Sequence, residues 1–230
     1  GGQITSGINN VLIGGYTGDA TDDGEANTAV GYLALSANCG DGNTVLGSTA
    51  GMVIEGANNT TLGVASGRGI TSGSNNITIG SQAGRTGAPG GNITTGSNEI
   101  GLGDANITSF SCQVSLTATS DERDKTDFQD LDLGLAFVKE LKPVTYVWDK
   151  RTNYADVTAD DFDLDSITSD GTHKDDDLQV GFKAQEVIAL EDSAGYKLSD
   201  KTNLTATVTS DGKQYGLMYE RFVPILTKAI

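Results

Sequence analysis

The sequence predicts a chain in two parts, a mainly β region of short stacked rungs followed by a compact α+β module. Three observations predict this. Six glycine-bounded blocks recur in the first hundred residues. Most of the 31 Gly lie before Asp104, whereas all three Pro lie at or after Pro89. Past residue 105 the repeat gives way to helical and strand periodicities. A length of 230 residues accommodates two small domains.

The blocks are Gly7–Gly14, Gly24–Gly31, Gly40–Gly47, Gly56–Gly63, Gly73–Gly80 and Gly96–Gly103, with closing glycines 17, 16, 16, 17 and 23 residues apart. The longer last spacing contains the turn insertion Ala88-Pro89-Gly90-Gly91. Within a block, apolar and β-branched residues alternate: Ile77 and Ile79 point one way and Thr78 the other, as a strand requires. Each closing Gly is expected to turn the corner at positive φ. Thr17, Ala34, Ala50, Ser66 and Ala83 follow those glycines by three positions, and small residues there predict close backbone approach. Asn10, Asn27, Asn43, Asn59 and Asn76 share one position, which predicts a buried amide ladder. Glu99 replaces the Asn in the last block, where a polar rung would end the stack.

Tyr16 and Tyr32 are the only aromatics of the first hundred residues, so this part is expected to need stacking or partner chains for a core. Asn59, Asn76, Asn92, Asn106 and Asn203 begin glycosylation sequons, but a chain this rich in Asn and Thr produces such matches by chance, and they are expected to be unmodified.

Residues 104–119 read as an extended exit from the stack. A helix follows, with Asp130 or Asp132 as cap, Leu135, Val138 and Leu141 on one face, and Pro143 as its stop. Val144–Trp148 is a strand by β-branched and aromatic content. Residues 154–177 form an acidic insertion, read as a solvated loop that exposes His173, the only His. Asp161, Asp163, Asp165 and Asp170 offer oxygens for Ca²⁺, but the glycine of an EF-hand loop is out of place, so no metal and no cofactor are expected. Residues 178–182 form a strand and Ala184 opens a helix. Residues 205–209 and 213–217 make a hairpin across Ser210-Asp211-Gly212. Residues 219–230 form an amphipathic helix expected to continue past Ile230.

The net charge of −16 argues against nucleic-acid partners and anionic membranes. No apolar run is long enough to span a bilayer and no signal-like segment opens the chain. Cys39 and Cys112 are isolated and are expected to be buried free thiols.

Chemistry points to the junction Ser120-Asp121-Glu122-Arg123-Asp124-Lys125. A serine nucleophile needs a base. With His173 in a loop, Lys125 is the nearest candidate, and a lysine acts as a base only when burial neutralises it. Spacing alone carries little weight, since Ser and Lys five positions apart occur by chance everywhere.

The blocks of residues 7–106 resemble the rungs of trimeric adhesin heads and phage tail-fibre shafts. That likeness implies a parallel β-roll or β-helix, with three chains packed about one axis. Four ordered stretches resemble another family. Ser120-Asp121 with Arg123 and Lys125, Leu141-Lys-Pro-Val-Thr-Tyr-Val-Trp148, Gly181-Phe-Lys-Ala-Gln-Glu-Val187 and the segment from Tyr219 to Ala229 are similar to motifs of the C-terminal intramolecular chaperones of phage tailspikes and tail fibres, the autoprocessing peptidase family S74. The resemblance divides the chain into a shaft or head (1–110), a linker (111–119) and a chaperone (120–230).

It also implies a mechanism: Ser120 attacks the carbonyl of Thr119, Lys125 takes its proton, and the chaperone departs after one cut. Asp121, Gln185 and Glu186 are candidate supports. The implied setting is a homotrimer in a virion, assembled in the bacterial cytoplasm, whose shaft can meet a host glycan or receptor. Two features depart from the family. Asp124 adjoins Lys125 and favours its ammonium form, so cleavage is expected to be slow unless Asp124 points away or pairs with Arg123. The chain also stops at Ile230, where relatives continue into a coiled coil. The Thr119–Ser120 bond is continuous here, so the chain is expected to be a precursor or an uncleaved form.

The runner-up is a bacterial adhesin head without chemistry, which accounts for residues 7–106 but not for the four later motifs. A glycan depolymerase is disfavoured because the repeats offer almost no aromatic platforms beside paired carboxylates.

Overall fold

A computed structural model describes residues 4–157, 159 and 162–230. Six three-residue strands, β1 (Val11–Ile13), β2 (Thr28–Val30), β3 (Thr44–Leu46), β4 (Thr60–Leu62), β5 (Ile77–Ile79) and β6 (Ile100–Leu102), form one parallel sheet in sequence order. Each strand is one wall of a rung. The other walls are turns bonded from rung to rung, as in Leu35 N–H to Ala50 C=O and Gly51 N–H to Ser66 C=O.

The six-stranded stack follows from the repeat. Each closing glycine has positive φ, from 73° at Gly103 to 141° at Gly31. A Cβ on Gly47 would lie 2.3 Å from the carbonyl oxygen of Gly63, so the next rung occupies the space of the missing side chain. The small residues that follow the closing glycines, Thr17, Ala34, Ala50, Ser66 and Ala83, are all buried. Larger interior groups come from the turns, where Leu35, Ile54, Ile70 and Ile93 join Ala29 and Val45 in a narrow aliphatic core.

The strands place their central residues inside and their flanking residues outside. Thr61 and Thr78 are buried, whereas Leu62, Ile77 and Ile79 are exposed. From β2 to β6 the central side chains are small, from Gly101 to Val45, and only in β1 is the central residue a leucine, Leu12, which packs against the core.

The asparagine ladder forms. The side-chain oxygens of Asn10, Asn27, Asn43, Asn59 and Asn76 accept the backbone N–H of the corresponding residue in the next rung, the last being Glu99, at 2.8–3.0 Å. The Asn59 amide also donates to the Gly73 carbonyl at 2.9 Å. Asn59→Ala would leave the buried N–H of Asn76 and the Gly73 carbonyl without these partners. A loss of about 2–4 kcal/mol is expected, read as a lower midpoint in urea unfolding.

The chain divides into two compact units. One gathers the rungs up to Asn106 with Val147–Asp177 and Val208–Gln214. The acidic insertion is therefore more than the solvated loop expected from its composition. Leu164 within it is buried. Lys150 Nζ donates to the Ala105 carbonyl at 2.7 Å, Arg151 to the carbonyls of Leu164 and Lys213, and Lys213 pairs with Asp163. The insertion is fastened by these cations, which its acidic residues alone do not suggest. At the last rung, Ser210 donates to Glu99 at 2.6 Å and Asp211 accepts the Asn92 N–H at 2.8 Å. Glu99 thus ends the amide ladder by receiving a turn rather than by facing water. His173 is exposed, its ring edge-on to Tyr154 at 4.7 Å.

The second unit comprises Ile107–Tyr146, Leu178–Thr207 and Tyr215–Ile230. Helices α1 (Leu135–Glu140) and α3 (Phe222–Ala229) enclose a core of Leu133, Phe137 and Ile225. Neither Asp130 nor Asp132 caps α1, because Gly134 holds that position and Asp132 instead accepts the Tyr196 hydroxyl. Strands β7 (Val144–Tyr146) and β8 (Gln179–Gly181) pair antiparallel, and helix α2 (Ala184–Ser193) follows β8. Strands β9 (Ala206–Val208) and β10 (Tyr215–Leu217) make the expected hairpin. Buried Glu191 of α2 holds its start by accepting both the N–H and the hydroxyl of Thr205 at 2.6 Å.

Two motifs read separately in the sequence meet here. The Tyr219 hydroxyl lies where a Cβ on Gly181 would be, 2.4 Å away, and accepts the Phe182 N–H at 3.1 Å. Phe182 stacks on Phe222 with ring centres 5.4 Å apart.

Candidate active site

The linker reaches the site without helix or strand, bending once at residues 113–114. Residues 106–120 are exposed throughout, including Phe110, Val114 and Leu116. Cys112 lies in this stretch and is exposed, contrary to expectation, because a segment exposed throughout has no interior to hold it. Cys39 is buried among the rungs, where burial pushes its thiol above the ordinary range and leaves it inert.

A single 3₁₀ turn, Glu122–Asp124, creates the site. Asp121 caps it by accepting the Arg123 N–H at 2.9 Å, and the Lys125 N–H closes it on the Glu122 carbonyl at 3.1 Å. Lys125 itself returns to extended backbone. The turn folds residue 125 back onto residue 120. Lys125 Nζ lies 2.6 Å from Ser120 Oγ and 3.3 Å from the Ser120 carbonyl oxygen.

The Arg123 guanidinium grips the Asp121 carboxylate, Nη2 at 2.6 Å and Nε at 3.0 Å, and holds that carboxyl below its usual range. Asp121 is thus engaged in shaping the turn. The sequence did not indicate this role for Arg123, although an Asp–Arg spacing of two across a turn is a signal for it. Arg123 pairs with Asp121 and not with Asp124, and among the described residues no ion pair joins Asp124 to Lys125.

Of the other candidate supports, Glu186 accepts from Lys183 Nζ at 3.0 Å and, like Lys183, lines a cavity of about 230 Å³ between the end of α1 and α2. Among the described residues no hydrogen bond joins Gln185 or Glu186 to Ser120 or Lys125. Of the carboxylates weighed for a cation, Asp163 pairs with Lys213, Asp165 with Arg151, and Asp170 accepts from Thr172, while Asp161 lies outside the described residues.

A serine hydroxyl in contact with a lysine amine pairs a potential nucleophile with a potential base. Ser120 and Lys125 are both exposed. The contact is therefore formed at the protein surface.

The fold and this site define a class: a chain with a parallel β-solenoid in one unit and a small α+β fold in the other. The sequence model of the family Peptidase S74, described as chaperone of endosialidase, matches residues 120–196 and starts on Ser120 itself. That match supports reading residues 120–196 as a chaperone domain of that family. Comparison with curated proteins and with solved structures gave no match.

Proposed function

We propose that the chain is the C-terminal part of a phage tail fibre or tailspike. Its chaperone domain aligns three copies of the β-solenoid and then releases itself by cutting the Thr119–Ser120 bond. The observation that carries this reading is the 2.6 Å contact between Lys125 Nζ and Ser120 Oγ, at the first residue of the family match.

The reaction follows from adjacency. Lys125 as free amine takes the Ser120 hydroxyl proton, and Oγ bonds to the Thr119 carbonyl carbon. The C–N bond breaks, and the proton passes to the departing Ser120 nitrogen. Water then hydrolyses the ester, restoring the hydroxyl and leaving Thr119 as a carboxylate. Nucleophile and scissile bond are neighbours, so proximity replaces substrate binding. Asp121 and Arg123 hold the turn that keeps the pair together.

Assembly is the step that readies the pair. The stretch exposing Phe110, Val114 and Leu116 just before the serine is a surface for other chains to cover. Burial of a lysine favours its neutral amine, the form that the reaction needs. Cleavage thereby waits until three chains are joined. Parallel pairing between distant rungs is slow and has many slipped registers, so joining the chain ends first sets the register. Removing the chaperone afterwards leaves the shaft kinetically trapped.

In this reading the particle is a virion fibre assembled in the bacterial cytoplasm, and its shaft meets a host-surface glycan or receptor. A concentration series tests the gating. Diluting freshly refolded chains tenfold is expected to lengthen the cleavage half-time roughly tenfold or more, because association then limits it. A half-time independent of dilution would mean that a lone chain cuts itself, and would refute the gating.

A further inference from the structure

Strict parallel register stacks Ile13, Val30, Leu46, Leu62, Ile79 and Leu102 in one column on the outer face of the sheet. A second column two residues earlier begins with Val11, passes through three threonines, and ends with Ile77 and Ile100. Neither column contains a charge, in a chain of net charge −16. Eight aliphatic residues of these columns each expose between 36% and 67% of their surface. At roughly 180 Å² for a whole residue of this size, they present on the order of 700 Å² together. That exceeds the largest apolar patch of an ordinary monomer, roughly 300–600 Å². It approaches the roughly 800 Å² that each partner contributes to a stable interface.

The geometry points to this double column as the surface through which copies of the chain pack against one another along the solenoid. The assignment rests on the threefold assembly proposed above and names the face that it uses. Two features select a second copy as the occupant. The column repeats once per rung, and the surface that matches that spacing over six rungs is another copy of the same column. Copies of so acidic a chain repel one another, so they can approach closely only where no carboxylate stands, and the column is such a strip. The interior holds small groups such as Ala29, Thr61 and Thr78, whereas the large aliphatics of the strands face outward. The sheet thus saves its bulkiest apolar groups for a contact outside its own chain.

Cysteine cross-linking in the full chain tests this, with Cys112→Ser removing the exposed native thiol. Leu62→Cys places a thiol in the column, and Glu55→Cys places one on exposed surface away from it. Under mild oxidation, Leu62→Cys is expected to link about two thirds of the chains in pairs, the limit for pairwise linking within a trimer. Leu46→Cys, one rung earlier, is expected to behave alike, and Glu55→Cys to link at least about tenfold less. Sedimentation of the same samples separates the two levels of the argument. A trimer in which the column cysteines link no better than Glu55→Cys overturns the column and leaves the trimer standing. A single-chain mass overturns both. A single chain that floats with phosphatidylcholine vesicles would assign the column to lipid and overturn its role between copies.

Discussion

A chain carrying Ser120→Ala is expected to run as one band on a denaturing gel at every concentration, where the parent is expected to give two bands of roughly half its mass. In the proposed reaction the hydroxyl forms the new bond, and no other hydroxyl touches Lys125 among the described residues. Lys125→Gln is expected to give the same single band, slowed by about 10²–10⁴-fold, the range that a positioned base contributes. Lys125→Arg separates base from charge. It keeps the cation and can reach Ser120, but a guanidinium does not give up its proton, so cleavage is expected to fail as in Lys125→Gln. Ser120→Cys keeps a nucleophile at the same place and is expected to retain partial cleavage. All four variants should assemble as the parent does, because residues 120 and 125 are exposed and outside both cores.

The second large effect lies in the solenoid. Gly47→Ala is expected to cost on the order of 3–5 kcal/mol, a large part of the stability of an ordinary domain. Two causes add. Gly47 has φ of 138°, outside the range that side chains tolerate. The new Cβ would also sit 2.3 Å from the Gly63 carbonyl oxygen and 2.6 Å from its carbon, and both atoms are backbone of the neighbouring rung. Neither atom can withdraw without breaking the parallel ladder between β3 and β4. Gly171→Ala is the matched control. Its φ is also positive, at 89°, but an added Cβ meets nothing within 4 Å, so only the backbone strain remains, about 1 kcal/mol. Urea unfolding of both variants in the Ser120→Ala background, where no cut intervenes, measures the difference.

Much of this was legible in the residues. The closing glycines and the asparagines gave the rung, its register and its ladder, because each position has one physical job repeated from rung to rung. Alternation in the strands gave two faces but not which one is inside. That depends on the width of the rung, and the structure puts Thr78 in and Ile77 and Ile79 out. In the C-terminal unit, Gly181, Phe182, Tyr219 and Phe222 were visible as two motifs, while their meeting was not, since 37 residues separate the Tyr219 hydroxyl from the Phe182 N–H. The acidic insertion was read as solvated because its composition hides Leu164 and because its cations, Arg151 and Lys213, lie outside the acidic run. At the site, Ser120 and Lys125 were named from the sequence, and the turn that joins them rests on the Asp121–Arg123 pair, which was not.

The central claim is that Ser120 cuts the bond on its own amino side once three chains have joined. Intact-mass analysis of assembled material, with N-terminal sequencing of the fragments, tests it most directly. The account predicts two species, residues 1–119 ending in a free carboxylate and residues 120–230 beginning Ser-Asp-Glu-Arg. A trimer whose chains stay whole under the same conditions, or one cut at any other bond, would contradict it.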